Sequence, residues 1–350
     1  MSISVNFNES RLTSLSLAKV GNPLRNEPLL TSKALCQFDD DEADLLTTCF
    51  LKSFKALELH QLKGNRGPES NPLFEYTSAV FKNPGQLLTA SAEIAKHLYA
   101  KSHHPNIKSG DLCVSLIEGI IVKGQSTQGL CIIKSENKVP FLQVSEHNGD
   151  LVLSTQHGIY PDKIDKGCLV VNHGEDNGFV VYLFDKSGNT NFWNRDFAGA
   201  VPVRDEDYLT KRFGQLCVDF AQRGLPEEAN EERRMAVAGR ALDYISENKE
   251  FELSDFEESL DDPELIDQFT HFRKNYGEET GTILEDQFSV SAPEARKAKR
   301  NLKGRLKLDS GAELRFSSAF IDQADNLLER GYDEAKKMHY LKVYFDKQLH

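Results

Sequence analysis

The chain has 350 residues, 39% of them hydrophobic, and a formal net charge of −12. That length and apolar content suffice for two ordinary cores, while the acidic balance excludes a uniformly basic coat for nucleic acid. The six cysteines (Cys36, Cys49, Cys113, Cys131, Cys168, Cys217) are scattered, with no Cys-x-x-Cys and no paired spacing, and read as buried free thiols of a cytosolic protein and not as a disulfide frame or zinc site.

The opening residues lack the basic and apolar regions of a secretory leader. Arg11 to Val20 sets Leu12, Ser14, Ser16 and Ala18 against Thr13, Leu15, Leu17 and Lys19, a strand that stops at Gly21-Asn22-Pro23. Asp39-Asp40-Asp41 then opens a helix, where carboxylates suit the dipole, with Leu45, Leu46, Cys49, Phe50, Phe54 and Leu57 expected inward. His60 to Tyr76 is polar with Gly and Pro and reads as a loop. A second helix is predicted from Gly85 to Lys101, burying Leu87, Leu88, Ile94, Ala95 and Leu98.

Short strands follow at 112–122, 129–134, 139–146, 149–155, 168–172 and 178–184, separated by turn residues such as Asn148-Gly149. Consecutive strands on tight turns predict an antiparallel sheet and an α+β domain. The most apolar run, Leu112 to Val122, holds Ser115 and Glu118 and is too short to cross a bilayer, so no membrane is implied.

Past Pro202 the period becomes helical: Leu209, Phe213, Leu216, Cys217 and Phe220, then Met235, Ala238, Leu242 and Ile245, then Leu265, Phe269, Phe272 and Tyr276. The expected boundary therefore divides an α+β domain at 1–200 from a mainly helical domain at 201–350. Residues 247–267 hold ten acidic side chains against one lysine, either a solvated surface or an internal mimic competing with DNA.

The densest charge lies further on. Arg296, Lys297, Lys299, Arg300, Lys303, Arg305 and Lys307 fall in one window without a carboxylate; removed from a net −12, they leave −19 on the other 338 residues. Ser291-Ala292-Pro293-Glu294 has the form of a capping box, opening a helix to about Leu302 that Gly304 would end in a left-handed conformation. At 100° per residue Arg296, Lys299, Arg300 and Lys303 share an arc of about 100°, with Ala295, Ala298 and Leu302 opposite. Leu306, Leu308, Leu314 and Phe316 then alternate about Asp309-Ser310-Gly311 as a hairpin, and Leu341, Val343 and Phe345 suggest a third strand. Two readings fit the strip: a docking surface for phosphates, or a solvated helix followed by a guarded strand edge.

Constellations for catalysis are weak. Glu136-Asn137-Lys138 has the spacing of a nuclease Glu-x-Lys, yet it lies at an expected hairpin tip and reads as a surface turn. His147, His157 and His173 read as loop histidines, and His103-His104 as a helix-end pair before Pro105. No phosphate-cradling glycine motif or nucleophile elbow occurs, so no enzyme, metal or cofactor is implied. Phe192-Trp193-Asn194-Arg195-Asp196-Phe197 reads as packing at the domain junction.

Taken together, several stretches resemble the bacterial 37-kilodalton nucleoid-associated protein family. They are Lys19-Val20-Gly21-Asn22 with Leu24-Arg25-Asn26, Ile164 to Leu169, Phe192 to Phe197, Tyr208 to Lys211 with Leu216 to Phe220, and Phe288 to Lys299 continuing to Leu306-Lys307-Leu308-Asp309 and Gly331 to Glu334. The resemblance implies DNA binding in the cytoplasmic nucleoid with no catalytic set. The resulting expectation is a non-enzymatic binder of duplex phosphates with low sequence specificity, working through the seven cations and dimeric so that two strips add avidity. An adaptor for DNA-processing or phage-defence machinery is the alternative, with a metal-dependent nuclease third.

Overall fold

The computed structural model describes residues 3, 5–54, 57–160, 163–188, 191–227, 229, 231–280, 282, 284–302, 304–307, 310–317, 320 and 327–347, with the backbone alone at 231–232, 304–307 and 330. It is a mixed α+β chain that divides into two compact units, Ile3–Val203 and the residues from Arg204 onward.

The first unit runs β1 (Val5–Asn6), β2 (Arg11–Val20), β3 (Leu29–Thr31), α1 (Asp40–Leu51), β4 (Leu59–Leu62), α2 (Pro72–Lys82) and α3 (Leu87–Lys101). It continues with β5 (Gly110–Val122), β6 (Gln125–Ser135), β7 (Val139–His147), β8 (Asp150–Gly158), β9 (Lys166–Val171), β10 (Val180–Asp185) and β11 (Ala200–Pro202). Nine strands make one antiparallel sheet in the order β11-β4-β10-β9-β6-β5-β2-β3, with β1 added beside β5; β7 and β8 pair only with each other. The long apolar run is explained by burial on both faces. Leu112, Val114 and Leu116 of β5 join α2 and α3 in one core, whereas Cys113 and Ile117 point to the other, with Phe50, Leu51 and Phe54 from α1 and the turn after it.

Three local expectations change. Residues 60–76 are not one loop, because His60–Leu62 belong to β4 and α2 starts at Pro72. Asn71 caps that helix, accepting from the Leu73 and Phe74 amides, with Pro72 at its first turn. In α1 the inward side is rotated: Leu45 is 64% exposed, and Thr47 is buried, its hydroxyl donating to Ala43 O and accepting from Leu12 N. Trp193 is no junction residue. It is fully buried in the first unit's core and its indole Nε1 donates to Gly167 O (2.9 Å).

The second unit runs α4 (Glu206–Asp219), α5 (Glu231–Glu247), β12 (Glu250–Glu252), α6 (Leu253–Ser259), α7 (Pro263–Thr280), β13 (Gln287–Ser289) and α8 (Ala292–Asn301). Two hairpins close it, β14 (Gly304–Lys307) with β15 (Glu313–Phe316), and β16 (Leu328–Asp333) with β17 (Met338–Val343). Phenylalanines hold the centre: the Phe213 ring lies 4.1 Å from Phe251 and 5.0 Å from Phe256, while Phe251 stacks on Phe288 at 4.6 Å. The terminal strand's ladder partner is β16, and Leu341 packs on the same core as Phe316 and Leu328.

Candidate nucleic-acid interface

Helix α8 takes its position from its small face. Ala295 is fully buried, Leu302 is 7% exposed, and Ala298 packs on the core formed with α4 and α5. The fit is close, since a Cβ on Gly214 of α4 would stand 3.2 Å from the Ala298 Cβ. The helix starts at Ser291, whose Oγ accepts from the Glu294 amide (3.4 Å). The other half of the expected capping box is replaced by a tertiary bond: the Ser291 N–H donates to Thr210 Oγ1 on α4 (2.9 Å), and the Glu294 carboxylate turns to Lys297 instead. Leu302 is already extended and Gly304 begins β14, so the helix ends without the expected left-handed glycine.

Opposite the buried side, Arg296, Lys297 and Arg300 are exposed. The Arg296 Nε donates to Ala292 O (3.1 Å), which lays the side chain back along the helix. Lys297 is ion-paired to Glu294 at 3.0 Å and remains 48% exposed. Lys299 leans toward α5, half-buried, and pairs with Asp243. No ion pair to Arg300 is formed among the described residues. Lys303 lies outside the described residues; Arg305 and Lys307 are placed on the β14 backbone, in register with Arg315 and Glu313.

Beside α8 a groove of about 300 Å³ runs between it and α4 with the turn after α4, lined by Lys211, Gln215 and Gln222 from one side and Glu294, Lys297 and Asn301 from the other. In the sequence Lys211 figures only within the Tyr208–Lys211 stretch of the resemblance and not as a contact residue, although Lys211, Gln215, Val218 and Gln222 keep helical spacing. The groove's lysines and amides are of a kind suited to phosphate oxygens, with Lys297 paired to Glu294 and Gln215 donating to Asp219 in this arrangement.

In the first unit Glu136 is not on a surface turn. Its carboxylate is 4% exposed and lies 2.8 Å from Lys134 Nζ and 3.3 Å from Lys166 Nζ, two lysines directly opposed across β6 and β9. Lys134 also donates to Lys108 O (2.7 Å), and Lys166 to Asp185 (3.1 Å) and Ser187. Asp165 accepts from the amides of Glu136 and Asn137 and from the Asn137 side chain. Burial pushes the Lys134 ammonium down and Glu136 opposes the shift. Lys138 points elsewhere, to Asp111 at 2.8 Å. His147 and His157 stand at opposite ends of the β7–β8 ladder, and among the described residues no three His, Cys, Asp or Glu gather as a metal would require.

A mixed α+β chain of two units, one presenting a cationic helix on an otherwise anionic molecule, is the class these features define. Residues 20–338 match the family described as "Nucleoid-associated protein YejK", and the chain belongs to that family. No curated protein matches the chain. No helix among the described residues is long and apolar enough to cross a membrane. The stretches that carried the resemblance meet inside each unit: Trp193 with Gly167, and Thr210 with Ser291. Asn22, buried in the first unit, holds His104 O and Ile107 O with its amide. Those residues build the scaffold.

Proposed function

We propose that this nucleoid-associated protein is a non-enzymatic, dimeric DNA-binding protein of the cytoplasm that docks on duplex phosphates with little sequence preference. The contact is assigned to Arg296, Lys297, Lys299, Arg300, Lys303, Arg305 and Lys307. One observation supports it above the others: the apolar side of α8 is locked into the core, so Arg296, Lys297 and Arg300 are held together facing water. Phosphate contacts position a protein without reading bases.

Because Lys297 and Lys299 already face carboxylates, five to seven cations are available to DNA. At about −0.9 per neutralised phosphate, the slope of log affinity against log salt lies between about −4.5 and −6.3. A gel shift over a salt series tests this with duplex, single-stranded DNA and RNA. Arg296→Ala/Arg300→Ala should flatten the duplex slope by about 2 while the melting temperature holds. An unchanged slope in that variant refutes the assignment.

A further inference from the structure

The β7–β8 ribbon has no ladder to the nine-stranded sheet, and four of its exposed aliphatic residues, Leu142, Val144, Leu151 and Leu153, share one side. Directly opposed residues of an antiparallel pair share a face. One face therefore carries Pro140 opposite His157 at the root, then Leu142 opposite Thr155, Val144 opposite Leu153, and Glu146 opposite Leu151. The other carries Phe141 with Gln156, Gln143 with Ser154, Ser145 with Val152, and His147 with Asp150. On the first face Leu142 is 69% exposed, Val144 63%, Leu151 80% and Leu153 63%. This is the alternation of a half-buried strand, yet no described residue covers it.

An isolated two-stranded ribbon is marginal in water, and a contiguous apolar face of this kind marks an interaction surface. Leu142, Val144, Leu151 and Leu153 alone offer that face on the order of 450 Å² of accessible surface, against about 800 Å² per partner in a standard interface. The ribbon root adds Ile159, which lines an open cleft with Leu17 and Leu30.

We propose that this face is where a second copy of the chain docks, ribbon against ribbon about a twofold axis. The face suits its own copy. Its four apolar residues form an unbroken centre and its one charge, Glu146, lies toward the hairpin tip. Set antiparallel, nine-residue ribbons of about 30 Å bring Leu151 of each over the root of the other, where Ile159, Leu17 and Leu30 raise the buried area to that of a stable dimer. The proposal rests on the dimeric part of the function proposed above and not on DNA contact.

Sedimentation equilibrium of the full chain tests it. Wild type is expected at twice the 39.4 kDa chain mass. Leu151→Ser/Leu153→Ser should weaken dimerisation by more than about a hundredfold, since four buried leucines are lost per twofold interface. A second variant replaces 140–157 by a short Gly-Ser turn and should be monomeric, with Trp193 emission unchanged to report an intact first unit. A monomeric wild type overturns both the surface and the dimer. A wild-type dimer that survives in both variants overturns the surface alone.

Discussion

Removal of the Glu136 carboxylate is the most informative single perturbation of the first unit. In Glu136→Ala, Lys134 keeps Lys108 O as a hydrogen-bond acceptor and the Phe192 ring at 6.0 Å, and Lys166 keeps Asp185 and Ser187, while the anion shared between the two ammoniums is gone. Both lysines are buried, at 0% and 2% side-chain exposure, and oppose each other across the ladder. Breaking a buried pair costs about 3–5 kcal/mol, and the retained acceptors place this case near the lower end. For a unit of this size each kcal/mol moves the melting temperature by about 2–4 °C, so a fall of roughly 6–15 °C is expected. Trp193, the sole tryptophan, sits in the same unit, so its emission during a thermal ramp is the assay. Lys134→Met should cost less, because Glu136 then still faces Lys166 at 3.3 Å. A Glu136→Ala melt within about 2 °C of wild type, or a larger fall in Lys134→Met, would refute the reasoning.

Two further outcomes follow from the second unit. Thr210→Val removes the acceptor for the buried Ser291 N–H and should destabilise that unit by about 1–3 kcal/mol, read as a lower urea midpoint in near-ultraviolet dichroism; an unchanged midpoint counts against the tertiary cap. In the terminal hairpin, hydrogen bonds from Lys342, Tyr344 and Tyr340 hold the Glu329 carboxyl down to about 2. A folded value below the ordinary 4.5 means its support is present above that pH and fades as pH falls toward 2. Amide resonances of β16 and β17 should shift over that window in wild type and stay constant in Glu329→Gln, and equal titration of both proteins would dismiss the linkage.

What the sequence revealed depended on how local the cause was. Helix α8 was readable because Ser291, Pro293 and the opposed arcs of alanine and cation lie within twelve residues. Its missing capping half was not, since Thr210 is eighty-one positions away. Helix α2 was hidden because buried Thr77 and Ser78 interrupt its apolar stripe. The charged network was hidden for a similar reason: Lys134, Glu136, Asp165, Lys166 and Asp185 sit near strand ends, where charge reads as turn, and only the β6–β9–β10 pairing gathers them. The two strands and the turn of the β7–β8 ribbon were legible in the sequence, but whether any part of the chain covers its apolar side is a tertiary fact.

On the proposed DNA contact, the Lys299–Asp243 and Lys297–Glu294 pairs turn engagement of this helix into an exchange reaction. An arriving phosphate at either lysine displaces a resident carboxylate, so the gain per contact is the difference between two anions. A lone nucleotide brings too little charge to win that competition at several positions at once. Under that proposal affinity should therefore rise steeply with polymer length, so that the surface would select long polyanions over the metabolite pool.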